Sequence, residues 1–186
     1  MKRFFLCLFI ALMPALASAQ EDAAPQHMLF EGLSIDGDVN PFVRALTHKG
    51  FKQVKQDAIL TGKVFGHKGT VIVASRPDDN IVYLVMVNYD TKKSWENVRT
   101  CYESIKMQLS LRYGDPAISR EEFASELAEA NPLLALEHGN CTYVSHYSVP
   151  GGEILLSINR EATVQLFFID TVNSQPMRPQ LQSSDN

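Results

Sequence analysis

The sequence predicts an α+β fold of two halves, each a helix followed by three antiparallel strands, with a short helical insertion in the second half. Two segments place apolar residues at helical spacing between a capping residue and a terminating glycine. Three short β-type runs separated by turn residues follow each helix. We expect a single domain over residues 27–172, with halves of about 27–90 and 91–172 and an insertion at 115–140.

In the first half, order is expected to begin at His27, where HMLFEGLSI predicts a first strand. Asp38 or Asn40 can cap the following helix, Pro41 fits its first position, and Gly50 ends it. The runs ILTGKVFG, GTVIVAS and NIVYLVMVNY predict a meander with turns at 66–69 and 76–80. Residues 81–87 are apolar throughout, which predicts a central strand covered on both faces.

In the second half, Ser94 is expected to cap the longest helix, and Gly114 to end it. Its apolar stripe comprises Trp95, Val98, Tyr102, Ile105, Leu109 and Tyr113. Ser119 and Glu122 match a capping box and predict a second helix over 120–130. Three strands follow, in CTYVSHYSV, EILLSIN and ATVQLFFID, and the polar segment 173–186 is expected to be disordered.

Residues 1–19 have the three parts of a cleavable signal peptide. Lys2 and Arg3 precede the apolar run FFLCLFIAL, and Ala17-Ser18-Ala19 offers a cleavage site. The apolar stretch of about 14 residues is shorter than the roughly 20 that a spanning helix needs. Cys7 lies inside the apolar core, where it cannot be acylated at the cleavage point. We therefore expect an exported protein, periplasmic or extracellular, with a flexible lead-in at 20–26 and no membrane insertion after cleavage.

The charge of the remaining chain argues against nucleic acid as a partner. Without Lys2 and Arg3 the chain has 15 basic and 21 acidic residues, a net charge of −6. Binding to nucleic acid or to an anionic membrane needs a concentrated basic patch, which the sequence does not display.

Two cysteines, Cys101 and Cys141, lie beyond the signal peptide. In an oxidising compartment they can form one disulfide that closes a loop of about 40 residues, stabilising by about 4 kcal/mol. The alternative is a pair of buried, unreactive thiols.

The sequence predicts no catalytic, cofactor-binding or metal-binding residues. Asp36-Gly37-Asp38 begins like a calcium loop but lacks the glycine and glutamate expected at its sixth and twelfth positions. His138, Cys141 and His146 lack the spacing of a metal site. Gly66-His67-Lys68-Gly69-Thr70 precedes a strand, whereas a phosphate loop precedes a helix.

The order of elements resembles the tandem α-β-β-β architecture of secreted β-lactamase-inhibitor-like proteins and of an uncharacterised family of exported bacterial proteins. The likeness is carried by GLSIDGDVNPFVRALTHKGF, LTGKVFGHKGTVIVAS, SWENVRTCYESIKMQLSLRYGDP and GGEILLSINREATVQLFFIDTVN. It implies a sheet whose concave face can hold another protein, and it implies no catalytic residues.

Three functions are compatible with the sequence. The favoured one is a non-enzymatic module that binds a protein or an envelope component, through a sheet face or through the insertion, where Leu133, Leu134 and Leu136 can form an apolar patch. The others are a hydrolase-like enzyme without a recognisable motif, and a structural subunit that pairs through an exposed strand. Packing beneath the insertion also explains the three leucines.

Overall fold

The structure is a computed structural model that describes residues 26–55, 57–91 and 94–174. The predicted signal peptide, nearly all of the predicted lead-in and residues 175–186 lie outside these ranges. Among the described residues, no helix is both long and apolar enough to cross a membrane. The fold is α+β, as predicted, with one large antiparallel sheet and one small hairpin.

The first half begins with a hairpin of two short strands, β1 (Leu29–Phe30) and β2 (Leu33–Ser34). The single first strand predicted here is wrong, because Glu31 and Gly32 both take positive φ and reverse the chain. Helix α1 (Val39–His48) begins as predicted, since the Asp38 side chain accepts a hydrogen bond from the Asn40 N–H.

Four strands follow α1: β3 (Lys52–Gln53), β4 (Ile59–Val64), β5 (His67–Ser75) and β6 (Val82–Tyr89). The meander of β4, β5 and β6 is confirmed. Its first turn consists of Phe65 and Gly66, which both have positive φ, so it is tighter than the predicted turn at 66–69. The two-residue strand β3 is an addition to the prediction.

The second half begins with α2 (Trp95–Tyr113), which is capped by Ser94 and followed by Gly114, as predicted. Three strands, β8 (Cys141–Val149), β9 (Gly152–Ile158) and β10 (Val164–Asp170), also match the prediction. Helix α5 (Thr171–Ser174) follows directly, and its Asn173 and Ser174 are buried. The predicted disordered tail therefore starts too early by at least two residues.

The insertion contains the main error of the prediction. Residues Ile118–Phe123 form a strand, β7, whose register with β8 runs from Ile118↔His146 to Phe123↔Cys141. The helix predicted over 120–130 is reduced to α3 (Glu126–Ala130), which is capped by Ser125 rather than Ser119. A second short helix, α4 (Pro132–Glu137), follows it.

The large sheet has the order β3-β4-β5-β6-β10-β9-β8-β7. Each half contributes four consecutive strands, and the halves join where β6 pairs with β10. The predicted three strands per half are therefore corrected to four. The two strands missing from the prediction, β3 and β7, occupy equivalent positions at opposite edges of the sheet.

The hydrophobic core lies between one face of the sheet and the helices. Leu46 of α1 and Tyr102, Ile105 and Leu109 of α2 are fully buried, as are inward residues of the central strands. The N-terminal segment packs on the same side, where the Phe30 ring meets Phe168 of β10 edge-on at 5.2 Å between centroids. The predicted stripe of α2 is thus confirmed as its packing face.

Candidate functional site

The sheet has one buried face and one partly exposed face. In β9 and β10 buried and partly exposed residues alternate strictly, and the same alternation runs through most of β5 and β6. Successive side chains of a strand point to opposite faces. The buried members face the helices, so the partly exposed members define a second surface, which we call the open face.

An apolar row crosses the open face. The strand registers place seven residues opposite one another in turn across seven strands, and six of the seven are apolar. At about 4.8 Å between strands, the row is about 29 Å long. Its members are Ile59, Ile72, Met86, Phe167, Leu155, His146 and Ile118.

Two further rows flank the apolar row. On one side, Ala74, Leu84 and Ile169 continue the apolar surface and lead to Glu153. On the other side the residues are mainly polar, and the Gln165 side chain donates a 2.8 Å hydrogen bond to Asn88. This polar row consists of Thr61, Thr70, Asn88, Gln165, Ser157, Val144 and Arg120. An apolar centre with a polar margin is typical of protein-binding surfaces.

The open face corrects the prediction that β6 is covered on both faces. The strand is central, as predicted, but Leu84 and Met86 are only partly buried, whereas Val85 and Val87 are fully buried. The feature of the sequence that indicates this face is the continuous apolar run of β6. Shorter apolar runs occur in β9 (LL) and β10 (LFFI). Such a run shows that both faces are apolar but does not show what covers the second one.

Charges differ between the two ends of the open face. Lys52, Lys63 and Lys68 lie on β3, β4 and β5, and all three are exposed. At the other end His146 lies 3.7 Å from Glu153, and Arg120 lies 3.8 Å from Glu122. The end of the open face at β3, β4 and β5 is therefore basic. At the end formed by β7, β8 and β9, acidic groups lie beside basic ones.

The three leucines predicted as a binding patch do not share one environment. Leu133 and Leu134 of α4 are 38% and 54% exposed, whereas Leu136 is 2% exposed and belongs to the core. Packing thus accounts for Leu136. Leu134 instead lines a shallow cavity together with Leu127, which is 76% exposed. Binding through Leu133 and Leu134 stays a prediction.

Cys101 and Cys141 are free, buried thiols in this structure. Burial raises the pKa of each thiol to about 11, so that few thiolates exist at neutral pH. In this structure the two cysteines thus have the form of the second alternative given above, a pair of buried, unreactive thiols. The disulfide stays a prediction for an oxidising environment.

One pair of side chains outside the open face has the geometry of a nucleophile beside a base. His67 Nε2 lies 3.1 Å from Ser104 Oγ. The His67 ring also makes an edge-to-face contact with the Tyr89 ring. A catalytic pair also needs a group that orients the histidine, and the contact made here is with an aromatic ring. The described residues contain no cluster of three potential metal ligands.

The outer edge of β7 has no neighbouring strand in the described sheet. Its residues are Ile118, Ser119, Arg120, Glu121, Glu122 and Phe123, and all but Phe123 are exposed. Charged residues on an edge strand oppose pairing with another sheet. Assembly through this edge is thus less favoured than binding through the open face.

Comparison of the chain with protein-family models, curated proteins and solved structures gives no match. The relationship to β-lactamase-inhibitor-like proteins therefore stays a prediction from the sequence.

Proposed function

We propose that this chain is an exported, non-enzymatic binding module whose open face holds another protein. The observation that carries the proposal is the apolar row, which places Ile72, Met86, Phe167 and Leu155 side by side on a partly exposed surface. A contiguous apolar surface is costly to leave in water, and in soluble proteins it commonly marks an interaction site.

A protein partner suits the dimensions of the open face better than a small molecule does. The apolar row extends about 29 Å across seven strands, whereas small ligands are usually enclosed in a concave pocket. An extended apolar centre with polar margins instead matches the core and rim of a protein interface. The same mode of binding is what the resemblance to β-lactamase-inhibitor-like proteins implies.

Site-specific photocrosslinking tests the proposal directly. A photoreactive phenylalanine analogue replaces Phe167 on the open face in one variant, and Leu111 on α2 in a matched control. Leu111 is 81% exposed, so its replacement probes a solvent-facing surface of the helices. After irradiation in the native envelope fraction, we expect a crosslinked partner from position 167 and none from position 111.

A substitution pair supplies the affinity measurement. Phe167→Ser removes a central apolar contact, and we expect it to weaken binding of the crosslinked partner at least about tenfold. Leu111→Ser should leave the affinity unchanged, with circular dichroism showing that both variants fold. Equal capture by both variants, or crosslinking only to a second copy of this chain, would show that the open face does not bind a separate protein.

A further inference from the structure

A cavity of about 480 Å³ lies beside the β3–β4 edge of the sheet. Its volume falls within the range of small-ligand sites, which is roughly 300–1,000 Å³. The lining residues come from the end of α1, from β3, β4 and β5, and from the residue after β6. The polar and charged residues among them are Lys49, Lys52, Thr61, Lys63, Lys68 and Asp90.

The cavity is strongly basic in an otherwise acidic protein. Of the residues that the structure describes, four lysines and one aspartate line it, which gives these a net charge of +3. The full chain, in contrast, has a net charge of −4. Lys49 has a local explanation, because it caps the C-terminus of α1, where a helix favours cations. The argument therefore depends on Lys52, Lys63 and Lys68.

Lys63 and Lys68 are placed directly opposite each other in the register of β4 and β5. Like charges at such a position destabilise a sheet. No carboxylate of the described residues forms an ion pair with either of them, or with Lys52. Folding therefore gains nothing evident from this pair, whereas a bound anion would bridge the two ammonium groups.

The wall behind the lysines is closely packed. The Phe51 ring packs so closely on Gly62 that a Cβ there would lie 2.3 Å from a ring carbon. Gly69, the cross-strand partner of Gly62, also lies close to the backbone of β6, where a Cβ would be 2.8 Å from the Asn88 carbonyl oxygen. Neither position can carry a larger side chain without rearrangement. The cavity is therefore bounded by closely packed backbone at Gly62 and Gly69, with exposed lysine side chains around it.

We propose that this cavity binds a ligand carrying a diphosphate or two neighbouring phosphate groups. Each phosphate group has a charge of about −1.5 to −2 at pH 7, so two of them match the net charge of +3. Lysine ammonium groups serve as point charges for phosphate oxygens, and the Thr61 hydroxyl provides a further hydrogen-bonding group. The site does not depend on the open face binding a protein.

Calorimetric titration of the full chain with inorganic diphosphate tests the proposal. We expect a dissociation constant of about 1 mM or tighter. The Lys63→Gln/Lys68→Gln variant should bind at least about tenfold more weakly. Arg44→Gln/Lys55→Gln removes two exposed charges outside the cavity and should bind as the unmodified chain does. Sulfate at matched ionic strength controls for screening.

The unbound stability of the double lysine variant provides a second measurement. Because the paired lysines repel each other, their removal should leave the urea midpoint unchanged or raise it. Amide NMR shifts of Thr61, Gly62 and Gly69 on addition of diphosphate identify the site in the unmodified chain. Equal binding by both double variants, or shifts spread over all surface lysines, would overturn the proposal.

Vesicles distinguish the two sources of such a ligand. If the phosphates belong to a lipid headgroup, the chain should sediment with phosphatidylcholine vesicles that contain diacylglycerol diphosphate and not with phosphatidylcholine alone. If they belong to a free small molecule, only the diphosphate titration gives binding. Absence of both signals excludes the site, and a Phe167→Ser variant that still binds diphosphate separates it from the apolar row.

Discussion

At the scale of single residues, Asp170 connects the beginning and the end of the described chain. Its fully buried carboxylate accepts hydrogen bonds from the N–H groups of Met28 and Asn173, both at 2.7 Å. His27 Nδ1 lies 3.1 Å from the same carboxylate. Asn173 in turn donates to the Asp36 carboxylate, which lowers the pKa of Asp36. One acidic side chain thus positions both the N-terminal segment and α5.

Asp170→Asn should destabilise the fold. An amide keeps one acceptor oxygen but directs an NH2 group at a neighbouring donor, so one buried hydrogen bond is lost and two donors are brought together. We expect a loss of about 2 kcal/mol in the free energy of unfolding, measured by urea denaturation.

Asp38→Asn is the matched control for this substitution. Asn and Asp cap helices about equally well, so its urea midpoint should stay close to that of the unmodified chain. If Asp170→Asn were as stable as this control, the carboxylate would not hold the two segments together.

The role of Asp170 could not be predicted from the sequence. Its partner Met28 is 142 positions away, and the run ATVQLFFID suggests only that a strand ends at an aspartate. The helix cap at Asp38 could be predicted, because donor and acceptor are two residues apart. Local hydrogen bonds leave a pattern in the sequence, whereas those between distant segments depend on the completed fold.

At the scale of elements, β7 shows where local signals mislead. Ser119 and Glu122 have the spacing of a capping box, yet they belong to a strand. Pairing with β8 satisfies the backbone of residues 118–123, and Lys106 of α2 forms an ion pair with Glu121. The residue that does cap a helix lies further along the chain, at Ser125, which accepts a hydrogen bond from the Ala128 N–H. Tertiary contacts therefore outweighed the local preference.

Helix α2 is attached to β8 by hydroxyl groups as well as by apolar contacts. Tyr102 Oη and Ser145 Oγ are 2.8 Å apart, and both side chains are fully buried. About two helical turns further along α2, Ser110 Oγ lies 3.2 Å from Tyr147 Oη. Burial raises the pKa of Tyr102 despite the hydrogen bond to Ser145. Because hydrogen bonds are directional, these two bonds fix the position of α2 along β8 more specifically than apolar packing alone would.

A double-mutant cycle measures the contribution of the inner bond. Tyr102→Phe leaves the Ser145 hydroxyl buried without a partner and should cost about 1–2 kcal/mol. The variant Tyr102→Phe/Ser145→Ala should cost less than the sum of the two single changes, with a coupling of about 1 kcal/mol. Tyr113→Phe, at a partly exposed position of the same helix, serves as the control and should change stability little. Strict additivity of the two single changes would contradict a direct bond.

At the scale of the whole molecule, the two halves are joined into one sheet. The prediction recovered the main helix and the three long strands of each half, because these depend on periodicity and turn residues. It did not recover the pairing of β6 with β10, which is a contact between the ends of the halves. A sheet face was predicted as a binding surface, but for the same reason its residues were not, since the register across seven strands is needed to align Met86, Phe167 and Leu155.

The halves should therefore unfold together. Buried residues of both halves form one core, and the Leu166↔Val87 pair lies at its centre. Trp95, the single tryptophan, lies in the second half, where its ring contacts Tyr143 with 5.1 Å between centroids. Leu46→Ala removes a fully buried side chain from α1 in the first half and should cost about 2–5 kcal/mol. In a cooperative molecule, urea curves from Trp95 fluorescence and from far-ultraviolet circular dichroism should shift by the same amount.

Leu111→Ala is the control for this experiment, because its 81% exposed side chain should change stability by no more than about 0.5 kcal/mol. A Leu46→Ala variant in which circular dichroism shifts but Trp95 fluorescence does not would show that the halves unfold separately. The open face would then be formed from two independent surfaces, because Met86 and Phe167 lie on opposite sides of the β6–β10 junction. Coincident curves would instead establish that it is maintained as one continuous surface for a partner.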